Sequence, residues 1–187
     1  MRRRLLRLGA TAEEARRPLP GDALVPAPLT DSTMAITIPA PPEEVWPWLV
    51  QMGCGRAGWY GIDLLDNGGR RSARRIHPEW QALAAGDRLA MTPGGRQQFT
   101  VAELEAARTL VLAWSGRVAG VELQASWALV LEQPAPGTTR LLARARAAGS
   151  PAWAIRTAAI PLGEPGHVLV QRRQLVNVRR RAERGSA

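Results

Sequence analysis

Hydrophobic and polar positions alternate with a period of two along much of the second half of the chain. Over residues 121–131, Val121, Leu123, Ala125, Trp127, Leu129 and Leu131 fall on one face, and Glu122, Gln124 and Ser126 on the other. That is the pattern of an antiparallel strand with one side packed and one side wet. The same alternation predicts strands at 97–105, through Phe99, Val101 and Glu103, and at 109–115, with Leu110, Leu112 and Trp114 together. A further strand is predicted at 138–147, where Leu141, Ala143 and Ala145 alternate with Arg140, Arg144 and Arg146, and a short one at 88–91. Pro93-Gly94-Gly95 and Pro134-Ala135-Pro136-Gly137 supply turns between them. Consecutive strands joined in this way make a meander.

The flanking segments have other periods. Residues 32–38 are rich in β-branched side chains and end at Pro39, which predicts a strand. Pro41-Pro42-Glu43-Glu44 then places proline and acids in a first helical turn, and Val45, Trp46, Leu49, Val50 and Met52 continue a helix to Gly53. Residues 56–86 show no clear period apart from a short helical turn at 62–65. Residues 153–160 suggest a short helix before Pro161, and Glu164-Pro165-Gly166 opens a last helix over 167–184. Val168, Gln171, Leu175, Val178 and Ala182 form its stripe, with Arg173, Arg180 and Arg184 away from it, while Val170 lies off the stripe. Residues 1–31 read as a basic, proline-rich arm. Thr11 and Glu14 have the spacing of a capping box, and Pro18, Pro20, Pro26 and Pro28 impose an extended path.

Composition narrows the picture modestly. The 187 residues suit one domain, and 45% hydrophobic residues can form a sizeable core. All 25 basic residues are arginine, and the net charge is +9. The arginines cluster at 2–4, 7, 16 and 17, again at 70, 71, 74 and 75, and along 172–184. These clusters imply a weak attraction to anionic surfaces. They lack the interleaved aromatics of a single-strand reader, so no specific nucleic acid is expected. One cysteine, Cys54, excludes an intrachain disulfide, and His77 and His167 offer no metal-ligand spacing. No metal, no cofactor, no transmembrane segment and a cytoplasmic location are therefore expected.

The order strand, helix, irregular region, meander and long helix is that of a helix-grip domain, and particular stretches strengthen the likeness. The run from Ala35 through Trp46-Pro47-Trp48 to Gln51-Met52-Gly53 resembles the opening of bacterial SRPBCC (START-like) proteins, the group named for polyketide cyclase/dehydrase and lipid-transport proteins. Gly58-Trp59-Tyr60 with Asp63, Pro78-Glu79-Trp80-Gln81, and Gly86-Asp87 resemble one subfamily of unassigned function. So do Arg17-Pro18-Leu19-Pro20-Gly21-Asp22 and the closing segment from Gln171 to Glu183. The chain departs from that subfamily at Gln171, where an acid usually stands, and at Asn177, where a glycine does. The resemblance implies an α+β helix-grip fold over 32–184, a curved antiparallel sheet wrapped around a long C-terminal helix with an apolar cavity, and a tail at 185–187.

Such a fold hosts carriers, receptors and enzymes alike, so function must come from the site. Seven tryptophans stand against one Phe and one Tyr. Trp46, Trp59, Trp80, Trp114 and Trp127 are candidates to line a cavity, with Phe99, Gln171 and Leu175, and Trp114 and Trp127 lie on faces expected to meet the last helix. Tyr60 and Asp63 are the candidate catalytic pair, a phenol and a carboxylate near the expected cavity mouth, and are ligand contacts in either case. Capping of the 62–65 turn is an equally good role for Asp63. Either histidine can shuttle protons near neutral pH, although surface or capping roles suit both. The leading expectation is binding of a small lipid-like or aromatic molecule without catalysis. The alternatives are a cyclase or dehydratase using Asp63 and Tyr60, and an interaction module meeting an acidic partner through its arginines. Oligomeric state is left open.

Overall fold

The alternating segments pair as their register requires. A computed structural model describes residues 2–118 and 120–185. The expected tail lies outside them except for Gly185, as does the side chain of Arg3. Six strands form one antiparallel sheet: β1 (Thr30–Ile38), β2 (Arg88–Ala90), β3 (Gln98–Glu105), β4 (Thr109–Val118), β5 (Val121–Ala135) and β6 (Thr138–Ser150). Their order across the sheet is β1-β6-β5-β4-β3-β2, a meander whose first strand closes beside its last. A bulge in the β3–β4 pairing falls between Val101 and Glu103.

Two helices cover one face. Helix α3 (Pro42–Val50) starts on proline and two acids, and α6 (Ile160–Gly185) packs against both β1 and α3. Met34, Ile38, Leu110, Leu112, Leu129 and Leu141 from the sheet meet Val45 and Leu49 of α3 and Leu175, Val178 and Ala182 of α6. Each Leu or Ile buried there contributes about 2 kcal/mol. The architecture is α+β, a curved antiparallel sheet gripping a long C-terminal helix.

The last helix begins earlier than the sequence suggests. Helical structure runs from α5 (Ala152–Ala154) through a π-helical turn at Ile155–Ala159 into α6, with Pro165 and Gly166 inside it. Glu164-Pro165-Gly166 therefore does not break the chain. Glu164 is held in place by Arg2 and Thr30, and tertiary contact overrides the local turn preference. The expected turn at 62–65 appears as α4 (Asp63–Asp66).

The other face of the sheet departs further from expectation. It is wet at Glu122 and Gln124, but Ser126 is buried and much of the face is roofed by the N-terminal segment, which carries α1 (Arg2–Leu5), α2 (Ala12–Arg16) and a 3-10 turn at Asp22–Leu24. Leu19 joins Ala35, Val111, Ala128, Val130 and Leu142 in a second apolar cluster. Thr33 and Ala35 donate backbone hydrogen bonds to Leu6 and Leu8, so the free edge of β1 is also covered. Gly9, at φ +76°, passes so close that a Cβ would lie 2.1 Å from the Ala35 carbonyl oxygen. The β6 arginines, which alternation alone would leave in solvent, hold this segment down. Arg144, 3% exposed, donates to Thr33 Oγ1, to the carbonyls of Arg17 and Glu14, and to Asp22 Oδ2 at 2.8 Å. Arg140 makes a two-pronged pair with Glu14, whose carboxyl it holds down at about 2.

Removing a buried cation from such a set leaves its carboxylate and carbonyl partners without their donor. Arg144→Met should lower stability in urea unfolding by about 3 kcal/mol. A loss below about 0.5 kcal/mol, the size of an ordinary surface effect, would show that these bonds do not secure the segment.

Candidate functional site

The sheet is unequal along its length, and the inequality makes a cavity. At the end near Ile38 and Leu141, helix-facing positions carry large side chains and the interior is full. Towards the other end the helix-facing residues shrink to Thr30 and Ser32 on β1, Ala145 and Ala147 on β6, and Ala125 on β5. Opposite them the first half of α6 presents Ile160, Glu164, His167 and Val170. The space left between is a cavity of about 480 Å³. Its wall is mainly apolar, closed at one side by Trp59, Phe99 and Trp127. These three rings touch one another at centroid separations of 5.5–5.9 Å, within the range of favourable aromatic pairs.

Of the ten residues expected in a ligand site, Trp59, Phe99, Trp127 and Gln171 line this cavity. Trp59 is fixed by its indole N–H, which donates to the Met91 carbonyl at 3.1 Å. Gln171 donates to Gln174 Oε1 at 2.6 Å, and Gln174 in turn donates to the Trp59 carbonyl at 2.8 Å. The indole nitrogen of Trp127 is buried without a partner among the described residues.

The other six lie elsewhere. Trp46 and Trp80 pack at the edge of the main core, Trp80 against the His77 ring at 4.4 Å, and Leu175 is inside that core. Trp114 shares the helix-facing side opposite Ala125, but its ring folds along the strand over Gly116, outside the cavity wall. Tyr60 is wholly buried. Its phenol oxygen accepts from Gln51 Nε2 at 2.7 Å, its ring lies under the Arg181 guanidinium, and burial pushes its pKa up to about 12. Its left-handed backbone, φ +61°, is clamped where the Asn177 side chain donates to its carbonyl. Asp63 accepts from the Ser72 amide and hydroxyl. Neither Tyr60 nor Asp63 borders the cavity, and the structure does not bring them to a common ligand atom.

Among the wall residues not singled out as ligand contacts are Thr30, Ser32, Glu164 and His167. Thr30 Oγ1 donates to Glu164 Oε1 at 2.7 Å, and Ser32 Oγ lies 2.9 Å from His167 Nε2. Ser32 continues the inward parity of Met34 and Ile38, whereas Thr30 falls in the segment read as an arm, because β1 begins two residues earlier than the sequence suggests. Val170, off the helical stripe, is explained as well, because it faces the cavity rather than the packed core. Asp66 also reaches the wall. Its Oδ2 accepts from the Ile62 amide at 2.9 Å, its Oδ1 has no partner among the described residues, and burial raises its pKa despite nearby amides.

No family model matches the chain, and no curated protein matches it in sequence. Solved structures do match in shape. Hypothetical protein jhp0584 from Helicobacter pylori superposes with a TM-score of 0.52 at 17% identity, over 90% of this chain and 96% of its own. Protein MLL2253 from Mesorhizobium loti superposes with a TM-score of 0.50 at 17% identity, over 83% of this chain and 98% of its own. What the chain shares with them is the fold, a curved antiparallel sheet around a long C-terminal helix. Within that frame the cavity lies between the sheet and the C-terminal helix. Among the described residues no helix is long and apolar enough to cross a membrane, and no cluster of metal-ligating side chains occurs.

Burial lowers the pKa of His167, and the nearby Glu164 carboxylate opposes that shift. The unfolded chain therefore binds this proton more tightly than the native state, near pH 6.5. Stability linked to His167 should be complete above that value and fall as the pH drops through it. Between pH 7.5 and 5.5 the urea midpoint of the wild type should decline more steeply than that of His167→Gln. Parallel declines would show that His167 titrates as freely in the native state as in the unfolded one.

Proposed function

We propose that the protein binds and sequesters a small apolar or aromatic molecule in the cavity between the sheet and α6, without transforming it. The observation that carries this reading is the cavity itself, about 480 Å³ and walled by Trp59, Phe99, Trp127, Ile155, Ile160 and short alanines. That volume falls within the range of small-molecule sites, which are concave, mostly apolar and furnished with a few polar groups. The alanines matter because they are the cheapest residues to enlarge, yet each holds a position where a larger side chain would close the space.

Catalysis by Tyr60 and Asp63 gains no support from the geometry. The phenol is paired with Gln51 in the packed core, and the carboxylate is occupied by Ser72. Five arginines are likewise engaged in the fold, two of them, Arg2 and Arg17, from the N-terminal cluster. Arg2, Arg17, Arg140, Arg144 and Arg146 are all engaged in ion pairs that tie the N-terminal segment to the rest of the domain. Arg70, Arg71, Arg172 and Arg173 are exposed, and supply the weak attraction to anionic surfaces expected of the net charge.

Filling the cavity tests the reading. The neutral dye N-phenyl-1-naphthylamine should brighten on binding the wild type. Ala145→Trp and Ala147→Trp should weaken its binding at least tenfold while the protein still unfolds cooperatively. Undiminished dye binding in both folded variants would place the apolar site elsewhere.

A further inference from the structure

Two polar pairs line the end of the cavity between β1 and α6, and they differ in what they leave open. Thr30 and Ser32, two residues apart on β1, face Glu164 and His167, three residues apart on α6, so the contacts form two rungs between strand and helix. The Glu164 rung is closed. Arg2 donates to both carboxylate oxygens, at 2.7 and 2.6 Å, and Thr30 donates to one of them. The His167 rung is open. Nε2 is engaged by Ser32, while Nδ1 makes no hydrogen bond among the described residues, although the ring borders the cavity.

We propose that His167 Nδ1 is the polar contact at the β1 end for the cavity's occupant, which is a ring-sized apolar molecule bearing a neutral hydroxyl group. The inference rests on the cavity-binding reading and adds the ligand's functional group and the residue that selects it. The Ser32 hydroxyl can either donate to Nε2 or accept from it, so Nδ1 is either a donor or an acceptor. A hydroxyl satisfies both tautomers, whereas a carbonyl or an ether satisfies one. Charge argues against the other head groups. Burial favours the neutral imidazole, which gives a carboxylate no counter-charge, and the neighbouring Glu164 is already paired with Arg2, so that this end carries no spare cation. An ammonium finds the Glu164 oxygens already occupied by Arg2, and burial favours the uncharged form of Asp66, the other carboxyl of the wall. The remaining wall offers the ring its partners, with Trp59, Phe99 and Trp127 around the apolar body.

A matched probe series tests this: 2-naphthol, 2-methylnaphthalene and 2-naphthoate share one ring system and differ in a single group. Calorimetric titration of the wild type should show 2-naphthol binding about three- to tenfold tighter than 2-methylnaphthalene, the range of one net hydrogen bond, with 2-naphthoate weakest. His167→Phe should abolish the naphthol preference, and His167→Asn should restore part of it. In the wild type, the His167 Nδ1 resonance should move on adding 2-naphthol and stay in place with 2-methylnaphthalene. Equal affinity for naphthol and methylnaphthalene, tightest binding of naphthoate, or an unmoved Nδ1 signal would overturn the inference while leaving the cavity reading intact. If none of the three binds, the cavity reading falls with it.

Discussion

A rigid helix fixed at both ends over a sheet of unequal side chains is the constraint on which this structure depends. At its C-terminal half α6 rests on leucine-sized packing through Leu175, Val178 and Ala182. At its N-terminal half the two polar rungs from Thr30 and Ser32 hold it at side-chain distance from β1. Between those supports the sheet offers Ala125, Ala145 and Ala147, too short to reach the helix. Helices curve only gently, with a radius of about 60–100 Å, too little over two or three turns to fill such a gap. Native interiors are otherwise close-packed, so a void of this size is a departure from the rule. The fold tolerates it because both ends are anchored independently of whatever fills the middle.

The N-terminal segment performs a second structural task. A sheet with a meander topology has an exposed edge at β1 and an outer face that carries Val111, Ala128, Val130 and Leu142. The segment covers both, and arginines on β6 bind it through carbonyls and carboxylates rather than through apolar contact alone. Arg2 extends the same segment to the cavity end, where it neutralises Glu164. The arm and the cavity wall are thus one connected arrangement, in which Arg2, Arg17, Arg140, Arg144 and Arg146 serve as ties within the fold.

Strand order and the grip helix were legible because their signals are periodic. Trp127, Leu129 and Leu131 alternate cleanly, and Leu175, Val178 and Ala182 repeat at helical spacing. The cavity was only half legible. Trp59, Phe99 and Trp127 announced themselves by size, but the residues that create the space are small, and alanine at an inward position gives no sequence signal. Trp114 shows why parity alone falls short: it shares the correct face, yet its side chain turns along the strand. Tyr60 and Asp63 lie close in sequence but serve different partners, Gln51 and Ser72, which only the path of the 56–86 segment determines. Glu164 was hidden inside what looked like a turn, and the wet face was misjudged because Arg144 has the same polarity pattern whether it meets water or the Arg17 and Glu14 carbonyls.

The most direct measurement is the alanine methyl NMR spectrum of the protein saturated with a small neutral naphthalene. If an enterable hollow separates α6 from the far end of the sheet, the methyl signals of Ala125, Ala145 and Ala147 should shift while those of Ala40 and Ala182, in the filled half, stay in place. Shifts confined to surface alanines, or none at all at saturation, would mean that no such hollow admits a ligand.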